Sequence, residues 1–184
     1  MHPADHKNAA SARRIEFGSA TLRIEDIVDI AEGSVSVALS DSHEFCSAIK
    51  RGTDFLDRLL REEGTIYGVT TGYGDSCTVA VPVDLVGELP RHLYTYHGCG
   101  LGAHLSPVQT RAVIATRLTS LCKGFSGVSL ELLQQIVKLL QCDILPLIPS
   151  EGSVGASGDL TPLSFFAAVL CGEGEVWRNG VHAS

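Results

Sequence analysis

Apolar residues along this chain recur mostly every three or four positions, and the rhythm fails in three glycine-rich places. Ile15 to Ile24 instead alternates, which predicts a short strand, before Glu25-Asp26 opens an amphipathic stretch ending at Gly33. From Ser40 to Glu63, residues Phe45, Ile49, Phe55, Leu56, Leu59 and Leu60 return at helical spacing with charges between them. One long helix is predicted there, kinked or broken at Gly52 and stopped by Gly64. Ile66 to Asp75 holds three glycines and two tyrosines in ten residues and is too broken for a helix. Val83 to Thr95 reads as helix. His97 to Leu105 is again rich in glycine, and Ser106-Pro107 then supplies an N-cap and a first helical position for a helix to about Lys123. Leu130 to Gln141 repeats apolar residues at helical spacing, and Ile144 to Ser150, with two prolines, must run extended. Glu151 to Asp159 is the third glycine-dense loop. Thr161-Pro162 starts a buried helix through about Cys171, and Glu175 to Ser184 reads as a hairpin turning at Arg178-Asn179-Gly180.

The fold class is therefore mainly α, with short strands and glycine-rich loops that feed helices. Met1 to Arg14 reads as a loose tail, and residues 15–184 as one domain that stops just after its hairpin begins, as though truncated at the C-terminus. Composition agrees with a single core. The 184 residues are 45% hydrophobic and 19% charged, and a chain of this length can bury about 70% of its unfolded surface. With 14 Lys+Arg against 21 Asp+Glu the formal net charge is −7, which argues against a nucleic-acid partner. No apolar run reaches the roughly 18 residues of a membrane span, and the polar N-terminus has no hydrophobic segment of a secretory signal. Cysteines at 46, 77, 99, 122, 142 and 171 form no C-x-x-C pair; they predict buried free thiols in a reducing cytoplasm.

Several loops resemble catalytic motifs only superficially. Gly98-Cys99-Gly100-Leu101-Gly102 follows a helical segment rather than a strand, and no acidic residue stands where a ribose would need one. Gly155-Ala156-Ser157-Gly158 and Gly124-Phe125-Ser126-Gly127 each fall one residue short of a nucleophile elbow. His92, His97 and His104 are spaced by five and seven, which does not make a helical metal pair. No metal site is expected.

Ala156-Ser157-Gly158 has a chemistry of its own. If a turn presses the Gly158 amide nitrogen against the Ala156 carbonyl, the backbone can close into a five-membered ring. Loss of water there and from Ser157 leaves an exocyclic methylidene, an electrophile made from the chain itself. The reaction wants a small first residue, a hydroxyl to eliminate, and a glycine that permits the close approach. Asp159-Leu160-Thr161-Pro162 opens a helix whose N-terminus favours developing negative charge.

Taken together, Ile66-Tyr67-Gly68-Val69-Thr70-Thr71-Gly72-Tyr73-Gly74 and Gly152-Ser153-Val154-Gly155-Ala156-Ser157-Gly158-Asp159-Leu160-Thr161-Pro162-Leu163 closely resemble the histidine and aromatic amino acid ammonia-lyases. His97 to Gly102 and Arg111 to Gly127 match that family's spacing, and the resemblance runs from about residue 20 to the end. It implies the N-terminal part of the family's helical fold, an amino acid as small-molecule substrate, and a homotetramer of longer chains whose further substrate-binding residues lie past Ser184. It implies that Ala156, Ser157 and Gly158 cyclise to 4-methylideneimidazol-5-one, with no external cofactor. Tyr67 would take the β-proton of the substrate, while Tyr96 and His97 would face the substrate side chain and Leu160 would line the same pocket. Tyrosine titrates near 10 in water, so lowering that by about two takes roughly 3 kcal/mol of local stabilisation. An imidazole at position 97 implies a polar aromatic substrate, and the bulk of Tyr96 puts tyrosine slightly ahead of histidine. Ammonia-lyases and their sister aminomutases share these motifs, and a non-catalytic folding or assembly module is the third reading.

Overall fold

In a computed structural model of the chain, which describes residues 13–62, 64–153 and 155–183, the first helix begins where an acidic side chain meets a free backbone amide. Most of the tail expected over Met1 to Arg14 lies outside the described residues. The Asp26 carboxylate accepts the Arg23 N–H at 2.8 Å, and α1 (Ile24–Ala31) follows. Asp26 also pairs with Arg13, which reaches Asp29 as well. The Arg23 amide first, and the Arg13 guanidinium after it, hold the Asp26 carboxyl below the usual carboxylate range.

The alternation after residue 15 makes a strand shorter than expected, β1 (Arg14–Phe17). Its partner is a segment to which the pattern assigns no element. β2 (Ser36–Leu39) pairs with β1 in parallel, Ile15 opposite Val37 and Phe17 opposite Leu39. Parallel strands need a crossover, and α1 provides it.

Ser42 caps the next helix, its Oγ accepting the Phe45 amide at 3.2 Å. That helix, α2 (His43–Glu62), runs unbroken through Gly52, against the expectation of a kink. A β-carbon at Gly52 would stand 2.4 Å from the Gly124 carbonyl oxygen. The glycine serves a close approach between the helix and the Gly124 turn, not a bend. Gly52→Ala is therefore expected to destabilise the fold by about 1–3 kcal/mol through overpacking, although alanine is the better helix former by roughly 1 kcal/mol. A urea titration followed by circular dichroism reads the sign. A raised midpoint would mean that the Gly124 turn gives way without cost.

The helix expected over 83–95 is shorter and starts later. Proline is tolerated only in the first turn, so Pro90 fixes the start of α3 (Leu89–His97), which follows a 3-10 turn at Val83–Leu85. Inside the glycine-rich stretch beyond it lies β3 (Leu101–His104). α4 (Pro107–Leu121) opens on a reciprocal cap, with the Gln109 amide donating to Ser106 Oγ at 3.3 Å and the Ser106 amide donating to Gln109 Oε1 at 2.8 Å. α5 (Leu130–Gln141) occupies its expected range, and the proline-containing segment is extended as β4 (Ile144–Pro146) and β5 (Pro149–Glu151). After α6 (Leu160–Leu170), β6 (Val176–Arg178) and β7 (Val181–Ala183) form the expected hairpin. Asn179 and Gly180 carry φ of 51° and 75°, the left-handed pair of a two-residue hairpin turn.

α4 and α5 build the centre of the core. Ile114, Leu118, Leu133 and Ile136 are fully buried with Ile30 of α1 and Leu145 of β4. Arg111 locks this centre from one side: its Nε donates to the Ile30 carbonyl at 2.9 Å, and its Nη1 donates to the Leu140 carbonyl at 3.0 Å and to Asp143 at 3.1 Å. One cation thus serves the C-terminal ends of α1 and α5, where helix carbonyls lack partners. Two further contacts gather the glycine-rich loops. α3 packs on α6, and β5 pairs antiparallel with β3, Leu101 opposite Glu151. Three loops distant in sequence meet there.

The cysteines depart from expectation. All six are free thiols, but Cys77, Cys99, Cys142 and Cys171 are exposed and only Cys46 and Cys122 are partly covered. Cys142 and Cys171 sit at the ends of α5 and α6, where the chain leaves the core. Burial pushes the Cys122 thiol up to about 11. Since the thiolate is the reactive form, at pH 8 only about one Cys122 in a thousand is ionised. Timed iodoacetamide labelling with peptide mapping should find Cys122 modified long after the four exposed thiols, and faster as the pH approaches 11. Labelling of Cys122 as fast as Cys77 would show that the α4 end is open. No helix among the described residues is long and apolar enough to cross a membrane.

Candidate active site

The loop after α2 is held by two threonines that look unremarkable in sequence. Thr70 and Thr71 are each only 1% exposed. Thr70 Oγ1 accepts the Ile66 amide at 2.6 Å, Thr71 Oγ1 accepts the Gly68 amide at 3.1 Å, and the Thr70 carbonyl accepts the Val81 amide at 2.8 Å. Hydroxyls thereby replace the regular ladder that three glycines preclude. Between these anchors Tyr67 stands out, 63% exposed, its phenol oxygen accepting the Gly74 amide at 3.0 Å. A donor at that oxygen supports negative charge there.

The second loop follows β5. Ser153 Oγ donates to the Gly158 carbonyl at 2.6 Å, so the turn through Gly155, Ala156 and Ser157 closes on itself. Gly158 has φ of 71°, and a β-carbon on it would lie 2.6 Å from Ser153 Oγ. Only glycine fits both the conformation and the space. Asp159 opens α6 without a side-chain cap, which leaves its carboxylate to the cleft it lines.

The third contribution comes from the end of α3. His97 lies beside Tyr73, ring centroids 5.8 Å apart, and Tyr73 lies beside Tyr67 at 6.1 Å. These three, with Ala156, Ser157, Asp159 and Leu160, line one cavity of about 810 Å³ between α3, α4, α5 and α6, of a size that suits a small ligand. Of the site residues expected from sequence, Tyr67, His97, Ala156, Ser157 and Leu160 meet in this cavity. Gly158 completes the turn beside it without lining it. Tyr96 is 80% exposed and turned away from the cavity, its ring packed edge-on against His97 at 5.1 Å.

Other lining residues have no clear mark in the sequence. Tyr73 reads there as a turn aromatic. Tyr94 of α3 and Arg117 of α4 carry no signal, because helical spacing marks a face but not what the face opposes. Burial first, and then the neighbouring Tyr67, push the Tyr73 phenol above its ordinary value, and Arg117 opposes them. Burial and a hydrogen bond to Glu173 do the same to Tyr94. The cleft thus offers a phenol whose oxygen accepts a backbone amide, an imidazole, two further phenols and a self-closed Ala-Ser-Gly turn between largely apolar walls.

Residues 22–184 match the family described as aromatic amino acid lyase. The chain is 37% identical over 163 residues to the histidine ammonia-lyase of Homo sapiens, covering 89% of this chain and 24% of that protein. It is 39% identical over 160 residues to the histidine ammonia-lyase of Shouchella clausii, covering 87% of this chain and 32% of that one. Among solved structures, the tyrosine aminomutase from Streptomyces globisporus superposes with a TM-score of 0.82 at 32% identity, over 92% of this chain and 31% of that chain. The ergothionase from Treponema denticola superposes with a TM-score of 0.85 at 28% identity, over 92% and 34%. The chain therefore spans about a quarter to a third of the length of the relatives it matches.

Proposed function

This chain belongs to the aromatic amino acid lyase family, and from that premise we propose that it carries the base and the electrophile-forming turn of an ammonia-lyase acting on L-histidine. The observation that supports this most directly is the shared cavity lined by Tyr67, His97, Ala156 and Ser157, which lie far apart in sequence. The residues fit the group that the family implies. Gly158 holds a backbone conformation and a cradle that no β-carbon enters, and the Ser153 bond holds the turn closed. Ala156, Ser157 and Gly158 would form 4-methylideneimidazol-5-one, an electrophile that makes an amine a good leaving group.

The side chains divide the remaining work. Tyr67 takes the β-proton, with the Gly74 amide supporting charge on its oxygen. His97 hydrogen-bonds the polar ring of the substrate, and Tyr96, packed against the imidazole edge, positions it. Leu160 gives the ring an apolar wall. Histidine is preferred to tyrosine because the curated relatives compared are histidine ammonia-lyases at 34–39% identity. We place the active form as a cytoplasmic homotetramer. An aminomutase acting on tyrosine is the second reading, favoured by the structural likeness to the tyrosine aminomutase.

The test is to supply L-histidine, L-tyrosine and L-phenylalanine separately to the polypeptide carrying this sequence and follow the ultraviolet absorbance of a conjugated acrylate. Histidine should give the acrylate and release ammonia. A β-amino acid as the main product would install the aminomutase reading, and no product from any of the three would overturn both.

A further inference from the structure

We propose that Tyr73 determines specificity in this cleft, its hydroxyl pairing with the polar ring of the substrate and so disfavouring a plain phenyl ring. The inference rests on the lyase reading above and deepens it. Tyr73 shares the cavity with Tyr67, His97 and Ser157, and its ring stands within 6.1 Å of the proposed base and 5.8 Å of the imidazole proposed to face the substrate.

The ring is fixed. It packs so closely over Gly68 that a β-carbon there would lie 2.7 Å from Tyr73 Cε1, and Gly68 belongs to the turn anchored by the buried Thr70 and Thr71. A polar group discriminates well only when it cannot swing away from the wrong ligand, and this packing supplies that rigidity. Among the described residues the hydroxyl has no hydrogen-bond partner. Tyr67 has the Gly74 amide on its oxygen, whereas no hydrogen bond perturbs the Tyr73 phenol.

The hydroxyl is a neutral donor at physiological pH, because burial and Tyr67 both oppose its ionisation and outweigh the nearby Arg117, with Asp159 adding to them. The cavity that Tyr73 lines also has apolar wall, from Leu93, Leu163 and Phe166. A phenyl ring bound here strips water from the hydroxyl and returns nothing, while an imidazole nitrogen or a phenol oxygen pairs with it. Sites built this way reject the analogue lacking the partner atom far more strongly than pockets of pure shape do.

Tyr73→Phe keeps the ring over Gly68 and removes only the oxygen. In the polypeptide carrying this sequence, kcat/KM for L-histidine should fall relative to that for L-phenylalanine by about tenfold or more. The mass of the Ser157 peptide should stay as in the parent protein, since the turn that makes the electrophile is untouched. An unchanged ratio in an active enzyme, or an equal fall for both amino acids, overturns the role of Tyr73 and leaves the lyase reading standing. A parent protein that converts none of the amino acids overturns the lyase reading, and this inference with it.

Discussion

Ser157→Ala is expected to leave the fold intact while turnover falls by a factor on the order of a thousand or more. Ser157 is exposed in its turn and its neighbours hold the loop without it, through the Ser153 bond to the Gly158 carbonyl. The change in stability should therefore stay within about 0.5 kcal/mol. The effect is chemical. In the proposed cyclisation the Gly158 nitrogen would join the Ala156 carbonyl carbon with loss of one water, and a second water would leave when Ser157 loses its hydroxyl together with its α-proton. Alanine can take part in the first step and has no hydroxyl for the second. The proteolytic peptide containing residue 157 should then be lighter by two waters in the parent protein and by at most one in the variant. Mass spectrometry and the acrylate assay on the same preparations test the link. Parental turnover in the variant, or a peptide of unmodified mass in an active parent, would break it.

How far the fold could be read from the sequence depended on element length. α2, α4 and α5 span three turns or more, so their apolar faces repeat often enough to be seen, and the cap expected at Ser106 forms. β2 and β3 are four residues each, too short for alternation to stand above chance. Their existence is decided by partners elsewhere, Arg14–Phe17 for one and Pro149–Glu151 for the other. Gly52 shows the same limit in another form. A glycine inside a helical pattern weakens the helix locally, and only the Gly124 carbonyl across the interface explains its place.

The candidate site could be proposed from the sequence where chemistry demands particular residue types in a row. Ala156-Ser157-Gly158 meets what cyclisation needs, and the proposed roles of that turn and of Tyr67 rest on the resemblance to the ammonia-lyases. What a sequence does not carry is adjacency. The cavity forms because α3 packs on α6 and β5 pairs with β3, and neither contact has a local signature. Hence Tyr73 and Arg117, whose importance lies in what they face, stay hidden until the fold is known. Tyr96 shows the reverse: next to His97 in sequence, it points out of the cavity, because successive residues on a helix project about 100° apart.

Tyr67→Phe should separate the base from the electrophile. The Ser157 peptide should keep its deficit of two waters, because Tyr67 takes no part in the turn that closes. Turnover should nevertheless fall by roughly 10²–10⁴, the usual contribution of a positioned acid or base. The substitution removes one oxygen from a ring already 63% exposed, so little packing is lost. What disappears is the acceptor of the Gly74 amide at 3.0 Å, and with it the proposed acceptor of the β-proton. If Tyr67 acts only in that transfer, kcat falls and KM stays close to the parental value. Substrate deuterated at the β-carbon sharpens the test, since the variant should show a larger isotope effect as proton removal comes to limit the rate. Turnover retained within tenfold would instead move the base to His97 or Asp159, which also line the cavity.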